Sequence, residues 1–371
     1  MPLYLTDDQA MLRDTARGFV AEEGAIAKQL RHWRDKGCND GFGHGLWKQF
    51  AELGFTGILI DEADGGLGLG QVEAGIVLEE IGRNLTPSPF LTTAVAFVEA
   101  LKDSGSRGRW FPGILAGETV AALAIDEGPK HRPETIAMRA ERSGNGFRLT
   151  GRKQFVVHGA SADVMLVAAR AEDGLTLFAV EKGTTGIEVE AVRLADSSVA
   201  ARLIFEGVEV DADSVVGEVG GGEAVLKRML NAARAGAAAE LVGMGTAAMD
   251  MTVGYLRQRK QFGRLIGEFQ SLQHRAAHLY SELEIARAAT LKAQQLIDEA
   301  ADDAEAMVSL AKAKAGRASQ LAVQEGVQMH GGIGMTDEYD IGLYMKRDRV
   351  LNELFGDPAY HADKLARMRE Y

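Results

Sequence analysis

YLRQRKQFGRLIGEFQSLQHRAAHL, from Tyr255 to Leu279, is the stretch on whose reading the fold depends. Upstream of it Leu241, Met244, Ala248, Met251 and Tyr255 recur at spacings of three and four, so a long helix with one apolar face is predicted to run into it. At the far end of that helix the side chains turn cationic and amide-bearing: Arg257, Arg259, Lys260, Gln261. Gly263 and Gly267 then interrupt the helical period, and Phe269 restarts it. A cationic helix end beside flexible backbone has two readings. One is a solvated terminus; the other is a set of forked donors for phosphate oxygens and the polar edges of a nucleotide.

Bulk composition narrows the surroundings. The 371 residues, 46% hydrophobic, supply a large core for two or three domains or one multi-layer unit. A net charge of −12 argues against nucleic-acid binding, because a phosphate backbone demands a basic face. The single cysteine, Cys38, excludes an internal disulfide and a cysteine-held metal cluster, and it fits a reducing compartment; no metal site is expected. The segment MPLYLTDDQA lacks the basic-then-apolar order of a secretory leader, and no uncharged apolar run approaches about 18 residues. A cytoplasmic protein without a membrane partner is expected.

Helical periodicity governs residues 1–118. Thr6 and Gln9 form a capping-box pattern ahead of the stripe Leu12, Ala16, Phe19. His44 to Phe55 repeats the stripe with Trp47, Phe50 and Leu53, and Gly54 marks its end. Leu59 to Gly70 is glycine-rich but matches neither phosphate-loop nor dinucleotide-fold spacing, so it reads as a turn. Two more helices, over 72–81 and 91–101, flank the Pro87-Ser88-Pro89 break. From Thr119 the pattern changes to short β-rich runs such as KQFVVHG, DVMLVAAR and ARLIFEGVEV, separated by Gly, Asp and Ser turns. No helical crossovers separate them, which points to a small barrel or sandwich and away from a doubly wound sheet. Beyond Gly222 helices are predicted near 223–261, 269–298, 303–330 and 340–370, alanine-rich in the first three and suited to a bundle. The predicted fold class is α+β: an N-terminal α-helical domain (1–118), a middle β-barrel domain (119–221) and a C-terminal four-helix bundle (222–371).

A second motif, QMHGGIGMTDEYD, places Gln328, Gly331, Gly332 and Gly334 where a long helix ends. Glycines there serve either a plain helix stop or the close approach of a ligand to backbone. The order R-x-Q-F-G-x-x-I-G-x-F-Q-x-x-Q-H, carried by Arg259, Gln261, Phe262, Gly263, Ile266, Gly267, Phe269, Gln270, Gln273 and His274, resembles the signature of the acyl-CoA dehydrogenases. So does the succession of helices, β domain and bundle. The resemblance implies FAD as cofactor, with Arg259, Gln261, Phe262 and Gln270 reaching the FAD of a neighbouring subunit. It implies Gln328, Gly331 and Gly332 along the adenosine and pyrophosphate. An oligomer follows: a homodimer, a homotetramer, or a heterotetramer with a second acyl-CoA dehydrogenase subunit. In the β domain the family's T-E-P-G-A-G-S-D corresponds to Asp126, Glu127, Gly128 and Pro129, without the usual hydroxyl donor, which leaves Asp126 to accept a flavin N–H. The family's W-I-T-N corresponds to Phe155, Val156, Val157 and His158, so the aromatic is kept and the threonine hydroxyl is lost at Val157.

The implied reaction removes a proton α to the thioester carbonyl of an acyl-CoA while FAD takes the β-hydride, and the electrons leave to an electron-transfer flavoprotein. It needs one carboxylate in a dry pocket. Most members place a glutamate just after an aromatic near the C-terminus; here the aromatic is Phe355 and the next residue is Gly356, with Asp357 one residue off. A minority place it on the long helix just before an arginine; here the arginine is Arg234 and the seat is Ala233. Glu240 lies seven residues beyond Ala233, close to two helical turns and about 10 Å along the same face. It is the only ionisable residue between Arg234 and Asp250, set among small apolar neighbours that would raise its pKa, and it is the expected base. The competing reading of such a glutamate is a structural ion pair. The family likeness extends to members acting on bulky or steroid-type acyl-CoA thioesters, some of which pair two different subunits around one catalytic site. A non-catalytic partner that completes another subunit's FAD site is therefore the alternative.

Overall fold

Thr6 and Gln9 close the expected capping box in the computed structural model, which describes residues 3–371: Gln9 N donates to Thr6 Oγ1 at 3.2 Å and Thr6 N to Gln9 Oε1 at 3.0 Å. Met1 and Pro2, part of the stretch read for a leader, lie outside the described residues. Helix α1 (Asp7–Glu23) follows, then α2 (His32–Asp35) and α3 (His44–Glu52), after which Gly54 at φ 77° takes the left-handed conformation that ends a helix. Next come α4 (Gln71–Arg83), a wide-turned helix over Phe90–Phe97 leading into α5 (Val98–Leu101), and α6 (Arg107–Leu115). The strands are β1 (Ala121–Ala124), β2 (Arg139–Ser143), β3 (Gly146–Val157), β4 (Val164–Ala171), β5 (Gly174–Glu181), β6 (Ile187–Arg193), β7 (Val199–Val210) and β8 (Val215–Val216). Beyond them lie α7 (Gly222–Leu256), the short strands β9 (Lys260–Gln261) and β10 (Arg264–Leu265), α8 (Gln270–Asp298), α9 (Ala304–His330), α10 (Ile341–Glu353) and α11 (Pro358–Met368).

Packing groups the chain into two compact units. One holds the residues up to Lys28, Gln71–Thr86 and Arg234–Tyr371; the other holds Gln29–Gly70 and Pro87–Ala233.

The second of these is built on one eight-stranded sheet in the order β6-β7-β3-β2-β4-β5-β8, with β1 pairing in parallel beside β4. The β domain expected from the sequence is built as a single, mainly antiparallel sheet, and β6 and β8 end its strand order. Strands β4 and β5 are apolar and buried almost throughout. Thr93 ties the Phe90–Phe97 helix to β1, accepting from Ala121 N at 2.9 Å and donating to Ala121 O at 3.3 Å.

In the other unit, glycine and alanine let helices meet backbone to backbone. A Cβ on Gly82 would collide with the carbonyl of Glu240, and one on Gly243 with the carbonyl of Glu79, so α4 and α7 touch with no side chain between them. Ala235, Ala289, Ala293, Val308 and Ala311 join α7, α8 and α9 in a buried cluster. Two boundaries differ from expectation. α7 stops at Leu256, because the chain turns into the β9–β10 hairpin before Gln261. The helix expected over 340–370 is two helices, broken at Leu354–Asp357 ahead of Pro358, whose ring forbids a continuous hydrogen-bond ladder.

Candidate functional site

The hairpin at the end of α7 carries most of the signature residues. Phe262 and Gly263, at φ 53° and 79°, occupy the two left-handed positions of a tight turn whose twist suits a two-residue hairpin. Phe262 is 90% exposed, and Arg259, Gln261 and Gln270 are exposed on the same short segment. Ile266 N donates to Arg259 O at 2.9 Å and closes the loop, while the Arg264 guanidinium lies 4.2 Å from the centre of the Phe269 ring. The segment thus holds an uncovered aromatic among cationic and amide donors.

Gln328, Gly331 and Gly332 lie at the end of α9. Gln328 is exposed; Gly331, at φ 64°, and Gly332 have nothing within 4 Å of where a Cβ would stand, so their backbone is open to a ligand. The two helix ends adjoin one another: Tyr255, in the last turn of α7, stacks on His330, the last residue of α9, with ring centroids 4.5 Å apart. The two motifs, about 70 positions apart in sequence, are therefore brought to neighbouring turns. Open backbone N–H groups, forked donors and an exposed aromatic fit the phosphates, polar edges and flat rings of FAD.

In the sheet unit, a register shift between Lys153 and Val156 pushes Phe155 out of the β3 ladder to φ 54°, where it is 49% exposed. Val157 is half-buried and pairs with Ala200. Asp126, expected to accept a flavin N–H, already takes His131 Nδ1 at 3.0 Å and Arg132 N at 3.3 Å, so only its remaining lone pairs are open for that role. Beneath it lies an ion pair that sequence reasoning missed. Lys153, fully buried, donates to Glu127 Oε1 at 2.8 Å and Ile125 O at 3.0 Å, and Glu127 also accepts from Ala137 N and Met138 N. Burial pushes the Lys153 ammonium down against the pull of Glu127. Burial works to raise the Glu127 carboxyl, but the charge and hydrogen bond of Lys153 hold it low.

The expected base, Glu240, lies on α7. Glu240 is buried, but it does not stand alone: its Oε1 accepts from Arg347 Nε at 3.0 Å and Arg347 Nη2 at 2.6 Å. The premise of an isolated carboxylate fails because its partner is 107 residues away on α10. The two usual seats are empty in structure as in sequence. Gly356 sits at φ 107°, and a Cβ there would collide with the Tyr360 ring and lie 2.9 Å from His361 Nε2. Arg234 donates from Nε to Phe355 O at 3.1 Å and from Nη2 to the Tyr360 hydroxyl at 3.3 Å. Asp357 caps α11 by accepting from Tyr360 N at 2.8 Å. The turn is further held by Lys312, whose buried ammonium donates to the carbonyls of Leu351, Asn352 and Gly356 at 3.3, 3.2 and 3.2 Å. A lysine among the alanines of SLAKAKAGRAS was the one visible sign of this clamp. Among the described residues no cluster of three or more His, Cys, Asp or Glu side chains fits a metal, and no helix is long and apolar enough to cross a membrane.

Comparison with known proteins gives one consistent picture. Models of the acyl-CoA dehydrogenase N-terminal, middle and C-terminal domains match residues 6–118, 128–208 and 220–368. The chain is 30% identical to mitochondrial isovaleryl-CoA dehydrogenase of Pongo abelii, over 94% of its own length and 85% of the relative's. It is 30% identical to cyclohex-1-ene-1-carbonyl-CoA dehydrogenase of Geobacter metallireducens, over 95% of each. A chain of the solved ChsE4-ChsE5 complex from Mycobacterium tuberculosis superposes with a TM-score of 0.89 at 25% identity, covering 100% of this chain and 99% of that one.

Proposed function

Because the chain belongs to the acyl-CoA dehydrogenase family, whose members depend on FAD, we propose that it serves the α,β-dehydrogenation of an acyl-CoA thioester, with an electron-transfer flavoprotein as electron acceptor. The observation that carries this reading is the pair of open turns at the ends of α7 and α9, which hold the family signature. Arg259, Gln261, Phe262 and Gln270 on one turn, with Gln328, Gly331 and Gly332 on the other, would hold the dinucleotide, and Phe155, Val157 and Asp126 would border the ring. FAD, when bound, supplies the acceptor for the β-hydride. The α-proton goes to a carboxylate, and a C=C bond replaces the C–C single bond.

The origin of that carboxylate favours a second reading. Ala233 and Gly356 carry none, Asp357 is occupied as a cap, and Glu240 is paired with Arg347. We read the chain as one member of a heteromeric pair in which a second acyl-CoA dehydrogenase subunit supplies the base. The test is to load the purified chain with FAD, add a panel of acyl-CoA thioesters anaerobically, and follow the flavin absorbance, alone and with a carboxylate-bearing family chain. The heteromeric reading expects bleaching only in the mixture. Bleaching by the chain alone that is lost in Glu240→Gln would instead make Glu240 the base of a homomeric enzyme.

A further inference from the structure

Between the two cofactor turns lies a group of three rings, Tyr255, His330 and Tyr339, to which neither motif's cofactor contacts extend. His330, 3% exposed, is 4.5 Å from Tyr255 and 4.7 Å from Tyr339, while the two tyrosines are 6.4 Å apart. His330 is therefore the ring common to both closer contacts. Its Nδ1 is 2.7 Å from Gly326 O, and since a carbonyl only accepts, the proton sits on Nδ1. Its Nε2 is then bare and accepts the Tyr339 hydroxyl at 3.1 Å. Burial holds the ring's pKa below its ordinary value, against the pull of the Gly326 carbonyl. One turn of α9 earlier, a Cβ on Gly326 would lie 3.2 Å from Thr252 Oγ1, so α7 and α9 are already close at that level.

Each ring belongs to a segment with a cofactor role. Tyr255 precedes Arg259 by four residues, and Arg259 N donates back to Tyr255 O at 2.9 Å. His330 immediately precedes Gly331. Tyr339 lies on the loop that leaves Gly334 and leads into α10.

We infer that His330 is a positioning residue: with Tyr255 and Tyr339 it sets the Arg259–Phe262 turn and the Gly331–Gly332 turn in register, so that both meet one dinucleotide. The inference rests on the FAD reading above. It also separates the two halves of the cofactor, because the glycine turn belongs with the adenosine and pyrophosphate, which FMN lacks in part or whole.

The test titrates flavin-stripped protein with FAD and with FMN, following flavin fluorescence, for the wild type, Tyr339→Phe and His330→Phe. Tyr339→Phe removes one hydroxyl from a half-buried side chain and leaves the ring contacts in place. It is expected to raise the Kd for FAD about threefold, and His330→Phe about tenfold, with the Kd for FMN unchanged. Unchanged FAD affinity in both variants, or an equal weakening for FAD and FMN, overturns the proposal, since a general loosening of the fold does not distinguish the two flavins. If His330→Phe fails to fold, Tyr339→Phe decides alone. A wild-type protein that binds neither flavin would sink the FAD reading itself.

Discussion

Phe155, Phe262 and Phe355 all stand in the left-handed region, at φ 54°, 53° and 60°, a conformation that costs a bulky side chain about 1–3 kcal/mol. Each falls on a stretch that the sequence marked for function, and the strain is held by surrounding hydrogen bonds: Phe355 O, for instance, accepts from both Arg234 Nε and His361 Nε2. The next residue, Gly356, permits a direct test. Gly356→Ala forces a Cβ against Tyr360 at φ 107° and is expected to cost about 2–3 kcal/mol in urea unfolding. The Glu240–Arg347 pair gives another. Arg347→Met leaves a buried carboxylate uncompensated and is expected to cost about 2–3 kcal/mol, whereas the double variant Glu240→Gln/Arg347→Met regains most of it. A free, proton-abstracting Glu240 would show no such recovery. The identity of Glu240 as a buried carboxylate on α7 was legible from its apolar neighbours. Its pairing was not, because spacing along a helix says nothing about a guanidinium delivered from α10.

At the scale of elements, the α10–α11 turn is organised by charge more than by apolar packing. Lys312 caps the orphan carbonyls at the end of α10, where the negative end of the helix dipole favours a cation. Burial nevertheless pushes its pKa to about 7, with Asp348, Asp357 and Glu353 pulling it up and Arg234 adding to the depression. The unfolded lysine titrates near 10.5, so between pH 7 and 10 the unfolded state binds more protons and stability rises with pH. Unfolding free energies measured across that range are expected to rise in the wild type relative to Lys312→Met, which lacks the group; parallel pH curves would refute the assignment. Of this clamp only the lysine among the alanines of SLAKAKAGRAS was visible in the sequence. The apolar pattern runs on through 340–370, and only Pro358 hints at the break. The β9–β10 hairpin was half readable: Gly263 announced a turn, but helical periodicity and cationic residues alone carry the α7 reading past its true end at Leu256.

For the whole molecule, the change from period three-and-four to short β-rich runs and back again was enough to give the α+β class and the order of its parts, because burial on one face dictates both patterns. The signature residues likewise led to two exposed turns, at the ends of α7 and α9. The composition of the two packing units was not legible, since α4 meets α7, more than 150 positions away, through backbone contacts at Gly82 and Gly243, and α1 groups with them. The central claim is that this chain binds FAD but brings no carboxylate of its own to the substrate's α-carbon. The most direct measurement incubates the FAD-loaded chain with an acyl-CoA thioester in D₂O and follows α-proton exchange by mass spectrometry. The account predicts exchange at the buffer rate for the chain alone and accelerated exchange once a carboxylate-bearing partner chain is added. Fast exchange by the chain alone, abolished in Glu240→Gln, would contradict it.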